Sequence, residues 1–140
     1  MNCLLVKLLC LCTLAIVFSL AGCESSGGRR AVSGSITLKG SPVNSGTITF
    51  SLPESPAIPA ATALVANGNY AIPADQGLMP GKYQVRISAP EAFDLTPEEY
   101  SAGKKIPPPV ERIPAKYNTQ TEQMVEVKTT GTNKFDYQIE

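Results

Sequence analysis

The 140 residues contain no histidine and no tryptophan. Without histidine there is no Ser-His or Cys-His nucleophile pair and no imidazole metal ligand. Cysteine is scarce too. Cys3, Cys10 and Cys12 sit in the apolar N-terminal stretch and read as apolar filler, so the chain beyond residue 22 keeps only Cys23 and has no pair for a disulfide. Charge is sparse and balanced, with twelve basic and twelve acidic side chains, which leaves no electrostatic case for nucleic acid as a partner. Long hydrophobic runs are missing as well. The most apolar stretch, Leu8 to Leu20, would reach roughly 20 Å as a helix, against the ~30 Å hydrocarbon core of a bilayer.

What is abundant is turn chemistry. Twelve prolines and eleven glycines beside nine aromatics indicate a turn-rich β protein of one domain. The short apolar run follows Lys7 and ends at Leu20-Ala21-Gly22-Cys23, where small residues stand before a cysteine. This pattern resembles the bacterial lipobox. The resemblance implies a helical signal peptide over residues 1–22, cleavage between Gly22 and Cys23, and lipidation of the Cys23 thiol, making membrane lipid the first expected partner. An uncleaved signal anchor is the alternative. Glu24 to Arg30 are small or polar and carry no apolar periodicity, so residues 23–31 are expected to form a flexible tether. With Glu rather than Asp after the cysteine, the resemblance slightly favours the outer membrane.

Two-residue alternation sets in at Val32. Val32, Gly34, Ile36 and Leu38 share one face of an expected strand, and Lys39 to Gly46 is expected to turn it into a hairpin with a second strand, whose Ile48, Phe50 and Leu52 point inward. Pro53, Pro56 and Pro59 recur at the period of polyproline II and read as a stiff loop or a docking peptide. A strand with blurred alternation over 61–66 meets Asn67-Gly68, the dipeptide best suited to a tight hairpin turn, and returns over 69–72. Pro80-Gly81 suggests a type II turn ahead of the cleanest strand, in which Tyr83, Val85 and Ile87 alternate with polar residues. A last hairpin is expected between the strand holding Val125 and Val127 and that holding Phe135, Tyr137 and Ile139. The expectation is all-β: a seven-stranded antiparallel β-sandwich over residues 32–140.

Residues 88–116 break the rhythm, and a connection of that length needs structure of its own. Thr96-Pro97-Glu98-Glu99 supplies it, with a cap residue, proline at the first helical position and glutamate three after the cap. A short helix is expected from Pro97 to about Ala102, ended by Gly103. Asp94, Glu98, Glu99 and Glu111 could form a paired-carboxylate or calcium site, although an acidic helix start and loop charges explain them more simply. No metal ion and no cofactor is expected. Phe93, Tyr100, Lys104 and Lys105 are the candidate ligand contacts, since loops held by a rigid scaffold often carry binding residues. The plainer alternative has Phe93 and Tyr100 folding down over a sheet edge.

Val32 to Val43, Gly46 to Phe50, Gly68-Asn69-Tyr70, Leu78 to Val85, Ile113 to Asn118 and Asn133 to Tyr137 together resemble the carboxypeptidase regulatory-like, transthyretin-like β-sandwich modules, and more closely the small bacterial lipoproteins built from one such module. The resemblance covers residues 32–140. The lipobox, the short tether and the missing catalytic groups together lead to the expectation of a non-catalytic, lipid-anchored envelope protein that acts as an interaction or structural module, with an envelope protein or glycan as partner. The alternative is a carbohydrate- or peptide-binding lipoprotein that uses the 88–116 connection. The absence of histidine separates the chain from the transthyretin-related hydrolases.

Overall fold

A computed structural model describes residues 27–91 and 95–140. The signal peptide, Gly22, Cys23 and Phe93 lie outside the described residues. The strands are β1 (Val32–Leu38), β2 (Ser41–Pro42), β3 (Ser45–Ser51), β4 (Pro59–Ala66), β5 (Asn69–Ile72), β6 (Gly81–Ser88), β7 (Pro90–Glu91), β8 (Val110–Glu111), β9 (Met124–Val127), β10 (Asn133–Lys134) and β11 (Tyr137–Ile139). Among the described residues, a helix, α1 (Pro97–Ser101), and a 3-10 turn at Ala115–Tyr117 complete the elements. The protein is therefore all-β, and the seven expected strands are present, the last divided into β10 and β11.

Hydrogen bonding runs in the order β10-β1-β5-β4-β3-β6-β9, with β2 and β11 also on β1 and β7 paired to β8. Most pairs are antiparallel, but β10 and β11 lie parallel to β1. This corrects the wholly antiparallel expectation and both expected end hairpins. The turn at Lys39 and Gly40, with φ of 51° and 79°, folds β1 back on β2, while β3 pairs with β4 and β6. At the other end β9 pairs with β6, and the chain crosses to β1 before extending again. Asn133 makes the crossing: buried, it accepts from Lys128 N at 2.8 Å and donates to Lys128 O at 3.3 Å, so one side chain does the work of a backbone pair. The sheet curls until β9 and β10, at opposite ends of the path, are neighbours in sequence.

The core is made by the inward residues of the longer strands, with Leu78 from the loop before β6. Ile36, Ile48, Phe50, Val85, Ile87, Leu78, Val127 and Ile139 are fully buried, each contributing about 1.5–3 kcal/mol by leaving water. The Phe50 ring meets Tyr70 at a centroid distance of 6.2 Å and 44°, a tilted aromatic pair. Leu52, expected inside, is instead exposed and Ser51 is buried. Leu52 lies one residue past the end of β3, where the register shift at Phe50/Ser51 leaves an extra residue, Ala60, on the facing β4.

Asn67 and Gly68 have φ of 49° and 78°, the two positive values a tight hairpin turn requires. Gly81 does not form the expected turn. Its φ is 155°, and it begins β6 opposite Val127. Ahead of β1, Arg30 N donates to Leu78 O at 2.7 Å, Leu78 N returns the bond to Arg30 O, and Arg29 donates to Gly77 O at 2.9 Å. Arg29 and Arg30, expected in a free tether, are thus fastened to the fold.

Candidate interaction arm

The long connection leaves the sheet as a ribbon. β7 and β8 pair antiparallel, Pro90 with Glu111 and Glu91 with Val110. Ala89 and Ile113, at the base, are buried in the core and fix where the ribbon starts. Glu111 ties that base together. Its carboxylate accepts from Ser88 Oγ at 2.6 Å, Ala89 N at 2.9 Å and Ile113 N at 2.9 Å. Partial burial alone would raise its pKa; the bonds from Ser88, Ala89 and Ile113 outweigh that and hold the carboxyl below its ordinary 4.5. Arg112 Nε donates back to Ala89 O at 3.1 Å.

At the far end the helix is short and fully capped. Thr96 Oγ1 accepts from Glu99 N at 3.3 Å while Glu99 Oε2 accepts from Thr96 N at 3.0 Å, the reciprocal box that its sequence specifies. Gly103, with φ of 72°, ends it: its N–H reaches Tyr100 O and Lys104 N reaches Glu99 O, the two bonds of a Schellman cap. Lys104 Nζ pairs with Glu99 at 2.5 Å, and this bond is the main reason the Glu99 carboxyl sits below its ordinary value. None of the helix is buried. With no core of its own, the helix is defined by its caps.

Tyr100 is 73% exposed, Ile106 63% and Val110 55%. Tyr100 therefore does not fold over a sheet edge, as the plainer alternative had it. The helix places it one turn from its cap, and Lys104 and Lys105 follow directly, so three of the four candidate contacts share one short stretch. Lys104 is held by Glu99; among the described residues Lys105 has no ion-pair partner. Pro107, Pro108 and Pro109 return the chain to β8 in exposed, stiff form.

Among the described residues the candidate carboxylates do not converge on one site. Glu99 serves the helix cap, Glu111 serves the ribbon base, and Asp94 lies outside the described residues. Among the described residues no group of three or more acidic or thiol side chains is placed to hold a metal ion.

Two surface hollows escaped sequence reasoning. One, of about 410 Å³, lies beside the arm base between β3 and β4 and is lined by residues including Thr47, Leu64, Ser88 and Pro90. The other, of about 270 Å³, lies over Lys82, Met124, Val125 and Glu126. The outward leucine in the blurred alternation of 61–66 was the available signal for the first. Comparison with protein families, with curated proteins and with solved structures finds no match to this chain.

Proposed function

We propose that this chain is a non-catalytic cell-envelope protein, anchored by lipid at Cys23, whose β-sandwich presents the 88–116 arm to an envelope partner. The exposed Tyr100 on a ribbon fastened by Glu111 carries this reading: the sequence spends a capped helix and a three-bond carboxylate on holding apolar side chains in water. The lipobox-like Leu20 to Cys23 supports the anchor and an address at a membrane facing the periplasm or exterior, the outer membrane favoured. A transthyretin-like sandwich agrees with the strand order. Within the one curled sheet, β4-β3-β6-β9 and β5-β1 with β10 and β11 would make the two layers of such a sandwich, joined through the registered pair Ala66↔Asn69. The partner is an envelope protein or a glycan.

The second reading, a carbohydrate- or peptide-binding lipoprotein, uses the same arm. The exposed Tyr100 ring favours it, because a sugar face or an extended peptide can stack there. A photo-crosslinker substituted at Tyr100 in the full-length chain, activated in cells, tests the arm. One reproducible adduct with an envelope protein or cell-wall glycan is expected. A folded, membrane-associated chain that yields no adduct from position 100 overturns the assignment.

A further inference from the structure

A second surface is written into the backbone of β4. Ala66 and Asn69 flank the Asn67-Gly68 turn, and the closing pair of a two-residue hairpin exchanges both of its N–H···O bonds. The backbone groups of Ala66 therefore face β5. By the period of two, those of Leu64 and Thr62 face the same way, while those of Val65, Ala63 and Ala61 face β3. The 3.3 Å contact between the Thr49 and Thr62 hydroxyls agrees, because side chains approach most closely across pairs that are not hydrogen-bonded. Among the described residues no strand other than β5, paired only at Ala66, lies on that side of β4. The N–H and C=O groups of Thr62 and Leu64 consequently point outward along an edge.

Edges of this kind are commonly guarded by charge, proline or a bulge. Here Pro59 and the bulge stand at one end, and charge is missing: no Asp, Glu, Lys or Arg occurs between Glu54 and Asp75. Leu64 is 78% exposed on the same stretch.

We propose that β4 is a homotypic docking strand, through which two copies of this chain pair antiparallel about a two-fold axis at Ala63. The hydrogen-bonding phase is self-complementary in that register. Thr62 of one copy stands opposite Leu64 of the other, each pair exchanging two N–H···O bonds from groups that face away from the chain's own sheet. Ala63, whose backbone groups serve β3, falls on the axis, where a pair without mutual hydrogen bonds is required. Antiparallel pairing of identical charged strands sets like charges near one another; this neutral strand meets no such repulsion. Pro59 on one side and β5 on the other confine the ladder to about five residues, which makes a reversible dimer and not an obligate one.

The test uses full-length chain co-expressed in cells with two different epitope tags, one copy carrying a photo-crosslinker at position 64. The expected product has twice the chain mass, contains both tags and maps to residues 61–65 of the second copy. Thr62→Pro in the second copy removes an N–H that faces away from β3, and the two-tag product should fall at least five-fold with protease resistance unchanged. Should that variant fail to fold, Leu64→Lys in the second copy, at an exposed position, is expected to give the same loss. Absence of a two-tag product, a product indifferent to both substitutions, or crosslinking from position 64 to other proteins alone overturns the proposal.

Discussion

Tyr70 and Tyr137 are both largely buried, and in both burial pushes the phenol far above its ordinary value of 10.0. Their hydroxyls have different surroundings. Tyr70 Oη donates to Phe135 O at 2.8 Å, whereas Tyr137 Oη meets no partner among the described residues. A buried hydroxyl without a partner carries a desolvation cost, and a satisfied one is a net gain. Tyr70→Phe is therefore expected to lower stability by about 1 kcal/mol and Tyr137→Phe to leave it equal or raise it by up to about 1 kcal/mol, as denaturant titration would read. The carboxylates give the acid response. The Ser35 hydroxyl, then Lys134 and Ser35 N, hold Asp136 below its ordinary 3.8, as the bonds at the arm base hold Glu111 below 4.5. For groups depressed in the folded state, the stabilisation is complete above the ordinary value and is lost as pH falls through the lower native one. Stability should decline below about pH 4.5, and Glu111→Gln should remove part of that slope in a pH series of thermal melts.

Among the elements, local chemistry decided what the sequence made legible. Asn67-Gly68 and Thr96-Pro97-Glu98-Glu99 carry their whole instruction within four residues, so the turn and the capped helix stand where they were expected. Leu52 went astray because β3 ends at Ser51, beside a register shift whose extra residue, Ala60, belongs to β4. The parallel docking of β10 and β11 went astray because its cause lies a hundred residues away, at Gly34 and Ser35. A Cβ at Gly34 would overlap the Phe135 carbonyl, and Ser35 N and Oγ both donate to Asp136 Oδ1 at 2.8 Å, across the break between the two strands. No period within either segment announces that fit. In the arm, Tyr100, Lys104 and Lys105 were readable as an exposed group, and the clamp at Glu111 was not, since two of its donors, Ser88 and Ala89, lie more than twenty residues back in the chain. The clamp predicts that Glu111→Ala frees the ribbon while the core holds. Limited proteolysis should then cut within residues 92–109 several-fold faster, with the melting temperature of the sheet little changed.

For the molecule as a whole, closure comes last in the chain. β1 is flanked by β5 on one side and by β10 and β11 on the other, and Ile139 is fully buried one residue from the terminus. Truncation after Thr132 should expose β1, remove Ile139 from the core and abolish cooperative unfolding, which a thermal melt by circular dichroism would record as loss of the transition. The proposed anchor lies at the opposite end, and Arg29 and Arg30 are already fastened to the 77–78 loop. Under the proposed anchoring, at most residues 23–28 would separate the lipid from this fastened segment. Membrane fractionation of full-length Cys23→Ser beside the unaltered chain tests the account most directly. The account predicts that the variant folds, with the same protease-resistant domain, and leaves the lipid-anchored membrane fraction; a folded variant that stays there as fully as the unaltered chain would contradict it.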